Sequence, residues 1–316
     1  MKADEGKTPW QYRTVTFLYF GTAGIISTFY YMFLQRELGL NLGMIGRVTA
    51  FGAVFSLASQ PALGCLFSGT RKKKRFIRLY FLGLMAVLGA MTVVTERTVF
   101  LFAVLYGCLA IPMIGTYEIL VGVKYIKPLY LVCFLGMGSY VGSDFAFSPY
   151  LTQLCENAET AGRIFGVSTG GKIFLEFVFF MFVCRAVKQF RAKWMLLSVF
   201  LFSFLRFACI ATGILPVVIL GDLLHCIVFP VFLTVIFEYL KQIVDDSLTA
   251  GCYSVISMLM FGLSNLVFPP LLSAAAEKAG FGIMYLSDCA LAAAAFMIGA
   301  CFLPDRDRNR GGDKFV

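Results

Sequence analysis

Long apolar runs separated by short polar connections make up most of this 316-residue chain. A helix needs about 20 residues to cross the hydrocarbon core of a bilayer, and the runs have that length. The pattern predicts ten spans, over about residues 15–36, 43–67, 77–95, 98–119, 129–152, 163–184, 194–213, 215–240, 247–273 and 281–303. No connection is long enough to form a soluble domain. The sequence therefore predicts an all-α membrane protein with about ten transmembrane helices.

Composition indicates that lipid, rather than water, surrounds much of the chain. Hydrophobic residues make up 59% of it and charged residues 14%, whereas soluble domains carry about 25% charged residues. Most of the ten cysteines lie inside apolar runs, where they act as small hydrophobic side chains, and no Cys/His spacing predicts a metal site. The GxxxxGKS/T loop of ATP-binding proteins and the GxSxG motif of hydrolases are also missing. We therefore predict neither an enzyme nor a cofactor.

The basic residues predict how the chain is oriented. The net charge is +9, but the basic residues lie between apolar runs, which argues against nucleic-acid binding and favours a membrane protein. With the N-terminus inside, about 20 of the 27 Lys and Arg residues fall in cytoplasmic segments. One such segment is the basic loop after span 2, formed by Arg71, Lys72, Lys73, Lys74 and Arg75. We expect a multi-pass protein of the cytoplasmic (plasma) membrane with both termini in the cytoplasm.

An internal repeat relates the first eight spans. The segments LYGCLAIPMIGT and LLHCIVFPVFLT share Cys, Pro and Thr at a constant offset of 118 residues, as from Cys108 to Cys226. Spans 1–4 are therefore predicted to repeat as spans 5–8, and in the same orientation because four is an even number. Spans 9 and 10 have no counterpart in the first copy. A parallel repeat disfavours the other architecture that fits ten spans, the drug/metabolite transporters, whose five-plus-five repeats are inverted.

A degraded glycine-and-basic motif lies between spans 2 and 3. Gly64, Lys72 and Lys73 occupy positions of a known signature, whereas Ser68 and Arg71 stand where it has Asp and a second Gly. With this motif and the parallel repeat, the chain resembles the major facilitator superfamily. Members of that family have twelve spans in two parallel halves of six. The resemblance implies a shortened 4+6 arrangement that lacks two spans of the first half.

The second half carries the better resemblance. The segments FGVSTGGKIFLEF, FSFLRFACIA and LGDLLHCIVF resemble the corresponding spans of the sugar and nucleoside proton symporter branch, which includes lactose permease. The implied division is a shortened N-terminal bundle (1–127), a six-helix C-terminal bundle (128–304) and a cytoplasmic tail (305–316). The implied function is secondary active transport of a small polar solute, coupled to protons, with that solute, protons and the lipid bilayer as partners.

Charged residues at membrane depth are costly, so they usually face a cavity or a partner. Lys172 and Glu176 are four residues apart in span 6, where they share one helix face and can pair. Asp222 and His225 are three apart in span 8, also on one face, and His225 is the only histidine. Each pair could serve transport or could be a buried structural pair.

Three more charged residues are candidates. Arg206 in span 7 needs a partner or a path to the headgroups, and Asp144 in span 5 could pair with Lys172 or Arg206. Glu118 ends span 4 and resembles the sugar-binding Glu of that span, although the resemblance places its usual Arg partner in the missing fifth span. It could equally be a solvated residue at the membrane boundary.

The resemblance assigns roles to the second-half residues. Glu176 looks like the family's Glu that binds sugar and couples protons, and Arg206 resembles an Arg that assists deprotonation of a carboxylate. His225 matches the family's His, but Val228 stands where a Glu follows one turn later. Asp222, one turn earlier, could substitute for that Glu.

The short first half leaves other functions open. It could be a natural variant, a degenerate gene product or a truncated gene. A chain that lacks two spans could be a remnant that does not transport, or could depend on a partner chain or a second copy at its shortened half. A ten-span exporter of the drug/metabolite type is the third alternative.

Overall fold

The computed structural model describes residues 30–69, 73–110, 125–155, 157–187, 189–244 and 246–305. Most of these residues are helical, and they include no strand. The helices are α1 (30–36), α2 (Leu42–Gly69), α3 (Lys73–Gly89), α4 (Val99–Ala110), α5 (Ile126–Leu154), α6 (Ala158–Ala186), α7 (Ala192–Ala211), α8 (Leu215–Ile243), α9 (Gly251–Ala279) and α10 (Phe281–Phe302). The predicted all-α class is confirmed.

Six of the described helices, α5 to α10, are long and apolar enough to cross a membrane. A shorter apolar stretch, Leu42–Leu57, lies within α2. Each of the ten predicted spans overlaps one described helix, but spans 1 and 4 extend into residues outside the described ranges. The structure thus supports a multi-pass membrane protein, while the number of ten spans stays a prediction.

The second half packs around α7. This helix contacts α10 on one side and α8 on the other, while α6 packs on α8 and α9 packs on α10. Large aromatic side chains with almost no exposed surface fill the space between α5, α7, α8 and α10, namely Tyr140, Phe200, Phe207, Phe232, Tyr239 and Tyr285. Their burial against one another holds the helices that carry the charged residues.

Helix α2 connects the two halves, because it packs on α4 in the first half and on α9 in the second. Gly46 permits the contact with α9: a Cβ there would lie 2.9 Å from the carbonyl oxygen of Pro269. At the same end of the pair, the backbone N–H of Gly43 donates to Glu277 Oε1 at 2.7 Å. Small residues allow such close approach of helices in membranes.

Two membrane helices contain a widened turn. α5 is π-helical over Cys133–Gly138, and α9 is π-helical over Met258–Leu263. The two turns contact each other. Such turns insert an extra residue, and they are frequent at functional sites because they re-aim the side chains that follow. In α5 the residues that follow are Tyr140 and Asp144.

Candidate transport site

Asp222 is the centre of a buried ionic cluster. Its side chain has no exposed surface. Oδ1 accepts hydrogen bonds from Lys172 Nζ at 3.2 Å and Arg206 Nη2 at 3.3 Å, and Oδ2 accepts from Ser168 Oγ at 2.9 Å. A carboxylate without water is tolerated only when cations and hydrogen bonds replace its solvation. Lys172, Arg206 and Ser168 supply that replacement from two different helices.

Arg206 extends the cluster towards α5. Its Nη2 also donates to Asp144 Oδ1 at 3.4 Å. The guanidinium carbon lies 4.4 Å from the ring centroid of Tyr140 and 5.4 Å from that of Phe207, so two aromatic rings lie beside the cation. Asp144 was expected to pair with Lys172 or Arg206, and in the structure its ion-pair partner is Arg206.

A second group adjoins this cluster and joins three titratable side chains. His225 Nε2 lies 3.8 Å from Glu176 Oε2, and His225 Nδ1 is 2.5 Å from the hydroxyl oxygen of Tyr140. The imidazole stacks on the rings of Tyr140 and Phe229. The side chains of His225 and Glu176 keep 13% and 19% of their surface exposed, so this group is more open than Asp222. Carboxylate, imidazole and phenol in series can pass a proton.

A local break in α8 separates the two groups. The backbone N–H of Leu224 bonds to Gly221 at 3.2 Å, and that of Ile227 bonds to Leu224 at 3.1 Å. These bonds span three residues instead of four, which tightens the helix between Asp222 and His225. The sequence predicted that both side chains share a face. Both side chains meet α6, Asp222 through Lys172 and His225 through Glu176; Asp222 also contacts Arg206, and His225 also contacts Tyr140.

Lys172 and Glu176 share one face of α6, as their spacing predicts, but in the described chain no salt bridge joins them to each other. Lys172 bonds to Asp222 and Glu176 approaches His225. The pairing of Lys172 with Glu176 considered from the sequence is therefore not formed. Helix α6 contributes Ser168 and Lys172 to the ionic cluster and Glu176 to the second group, so it links the two.

Four further site residues were not anticipated from the sequence: Ser168, Tyr140, Tyr285 and Asp288. Ser168 and Tyr140 contact the charged groups directly. Asp288 on α10 has no exposed surface and lies within electrostatic range of Arg206. A signal for Asp288 was present, since it is an acidic residue inside an apolar run.

Some predicted residues lie outside this site or outside the described chain. Glu118, Arg71 and Lys72 fall outside the described residues. Lys73 and Lys74 begin α3, and Arg75 in its first turn is exposed. Within the described ranges, no group of three or more His, Cys, Asp and Glu side chains could hold a metal ion.

Comparisons with known proteins agree with this architecture. The profile of the MFS_1 like family matches residues 9–121 and 114–267, which is most of the chain. No curated protein matches the chain. Thirteen solved chains match it. One is the crystal structure of the nucleoside transporter NupG, with a TM-score of 0.72 and 11% sequence identity, covering 91% of this chain and 98% of that chain. At this identity the likeness concerns the fold alone. The family match shows that the chain belongs to the MFS_1 like family of the major facilitator superfamily, a superfamily of membrane transporters.

Proposed function

We propose that this transporter moves a small polar solute across the cytoplasmic membrane together with protons. The observation that carries the proposal is the Glu176–His225–Tyr140 series, set beside the Lys172–Asp222–Arg206 cluster. Titratable groups that are partly open and touch a buried ionic cluster couple proton uptake to a change in that cluster.

Glu176 and His225 bind the proton and the solute, and the ionic cluster around Asp222 responds to both. A proton that binds Glu176 or His225 changes the charge next to Lys172. Lys172 and Glu176 both lie on α6, so this helix links the two groups. The balance of Lys172 between Asp222 and the Glu176 side then changes, and such a change can bias one packing of the helices over another. A solute that hydrogen-bonds Glu176 and His225 changes the electrostatic environment of the same cluster.

Nucleosides and sugars are the first solutes to test. The matched structure is that of a nucleoside transporter, and the segments around Lys172, Arg206 and Asp222 resemble the sugar and nucleoside symporter branch. Both solute classes offer hydroxyl groups to a carboxylate and an imidazole.

The test is the external pH of a weakly buffered proteoliposome suspension while nucleosides, sugars and peptides are added in turn. Alkalinisation on addition of one class supports proton symport and identifies the solute class. Labelled solute uptake that leaves the pH unchanged, and that does not respond to an imposed proton gradient, contradicts the coupling.

A partner-dependent chain is the second candidate, and the surface of α6 favours it. Among the described residues, nothing lies within 4 Å of a Cβ added at Gly166 or Gly170, and Phe174 and Met181 on the same helix are exposed. A second copy or another chain could cover this face next to the shortened half. A detergent-solubilised monomer that transports after reconstitution contradicts this candidate. The family match leaves the drug/metabolite exporter without support.

A further inference from the structure

Unpaired polar groups are buried on α10, beside the ionic cluster. Asp288 and Tyr285 are three residues apart, so they share one face of the helix, and they are 0% and 2% exposed. Throughout the described ranges, no hydrogen-bond partner is found for either oxygen of Asp288, for the Tyr285 hydroxyl or for Arg206 Nε. Ser143 also faces Asp288, but its hydroxyl donates to the carbonyl of Tyr140 at 3.1 Å.

The charges of the described site do not balance unless protons are bound. Its fixed cations are Lys172 and Arg206, and both are in contact with Asp222 or Asp144. The remaining carboxylates are Glu176, which has His225 as a neighbour, and Asp288. An ionised Asp288 would therefore be a buried charge without a direct partner, which proteins avoid by neutralising the group.

Within the described part of the chain, the other elements packed on Asp288 bring no further cation to it. From α5 it faces Asp144 and Ser143, and from α7 it faces Arg206. The charged residues of α9, Glu277 and Lys278, lie in the last turn of that helix. The neighbouring Cys289 contacts the carbonyl of Phe204 at 3.6 Å.

We propose that Asp288 is a second proton-binding site, separate from the Glu176–His225 pair. A protonated carboxyl group has one O–H donor and one carbonyl acceptor. Neither the Tyr285 hydroxyl nor the Arg206 Nε–H forms a hydrogen bond with this carboxyl group in the described structure, so neither compensates an ionised Asp288. A bound proton removes the uncompensated charge and leaves a neutral carboxyl group, which is far less costly to bury.

This site also has a defined effect on the ionic cluster. When Asp288 releases its proton, a third carboxylate competes for Arg206, which already divides its Nη2 between Asp144 and Asp222. Loss of the proton therefore weakens the hold of Arg206 on Asp222. Protonation of Asp288 does not depend on the proposed transport function and can be tested on purified protein without a solute.

The experiment is infrared spectroscopy of the full chain in detergent or lipid, in H₂O and D₂O, across neutral pH. A protonated carboxyl group gives a carbonyl stretch that shifts in D₂O. We expect such a band in the unaltered protein and its loss in Asp288→Asn. Glu176→Gln should leave this band in place, so failure of the coupling proposal and failure of this one are distinguishable. Glu159→Gln, at a carboxylate with a 75% exposed side chain, is the matched control and should change nothing.

An identical band pattern in Asp288→Asn would overturn the proposal, because it would mean that Asp288 is ionised and solvated by water. If Asp288→Asn does not fold, Asp288→Glu decides: it keeps a carboxyl group at this position but moves it by one methylene, so the band must shift in frequency, and an unshifted band rejects the site.

Discussion

His225 on α8 and Glu176 on α6 approach each other with Nε2 and Oε2 separated by 3.8 Å. The other imidazole nitrogen is 2.5 Å from the Tyr140 hydroxyl oxygen, so when Tyr140 donates to Nδ1, the neutral ring carries its proton on Nε2, facing Glu176. The pair is close enough to exchange a proton after a small movement. It is also open enough to meet a solute, unlike Asp222.

Glu176→Gln should abolish proton-coupled uptake. Glutamine keeps the size of the side chain and its hydrogen-bonding ability but cannot take up or release a proton. We expect solute-induced alkalinisation to fall to the background of empty liposomes. Glu159→Gln, on the same helix, is the matched control and should behave like the unaltered protein because the ion pair described for Glu159, with Arg163, is exposed to solvent. Normal coupled uptake by Glu176→Gln would reject Glu176 as the coupling residue.

Lys172 and Asp222 should show strong energetic coupling. Removing one partner of a buried ion pair leaves an uncompensated charge and costs about 3–5 kcal/mol, whereas replacing both can be nearly neutral. We expect Lys172→Met and Asp222→Asn each to lower the free energy of unfolding by about 3 kcal/mol. The double variant should lose less than the sum of the two single losses.

The exposed pair of Arg191 and Asp305, 2.9 Å apart, provides the control for that cycle. Its single variants should cost at most about 1 kcal/mol, because solvent screens the pair. Additive losses in the Lys172 and Asp222 double variant would show that the buried contact contributes nothing specific.

The fold could be predicted from the sequence because apolar runs of membrane length leave the helix as the main solution. The partners of the charged residues could not be predicted in this way. The spacing of Lys172 and Glu176 says only that they share a face. Which neighbour each one meets depends on how α6 crosses α8, and this follows from packing far from both residues.

The residues missed from the sequence differ in kind. Tyr140 and Ser168 carry no charge, and such side chains are common in membrane helices without a function, so nothing marked them. Asp288 could have been found, because an acidic residue in an apolar span needs a physical reason. The break at Leu224 had no local signal such as a glycine or proline at that residue.

Gly46→Ala should loosen the contact between the two halves. The new Cβ would meet Ser273 Oγ at 2.8 Å and the carbonyl oxygen of Pro269 at 2.9 Å, and a backbone carbonyl cannot move aside alone. We expect a loss of about 1–3 kcal/mol in the free energy of unfolding, as for other overpacked sites. Gly170→Ala is the control, since within the described chain nothing lies within 4 Å of its Cβ; it should be neutral or slightly stabilising. Equal effects at both sites would contradict a tight α2–α9 contact.

The orientation of the chain can be tested at two exposed positions, Arg75 and Lys278. Gly43 contacts Glu277, so the start of α2 and the end of α9 lie at the same end of the bundle. α2 has 28 residues, which at about 1.5 Å per residue is long enough to span a bilayer, so Arg75 at the start of α3 is expected at the opposite end. Because positive residues are retained on the cytoplasmic side, Lys278 should face outwards.

In a chain whose native cysteines are replaced, Lys278→Cys should react with a membrane-impermeant maleimide in intact cells. Arg75→Cys should react only after the cells are lysed. The reverse pattern would place the termini outside and would reject the orientation. Labelling of both positions in intact cells would mean that α2 does not cross the membrane, which would contradict the 4+6 arrangement as well.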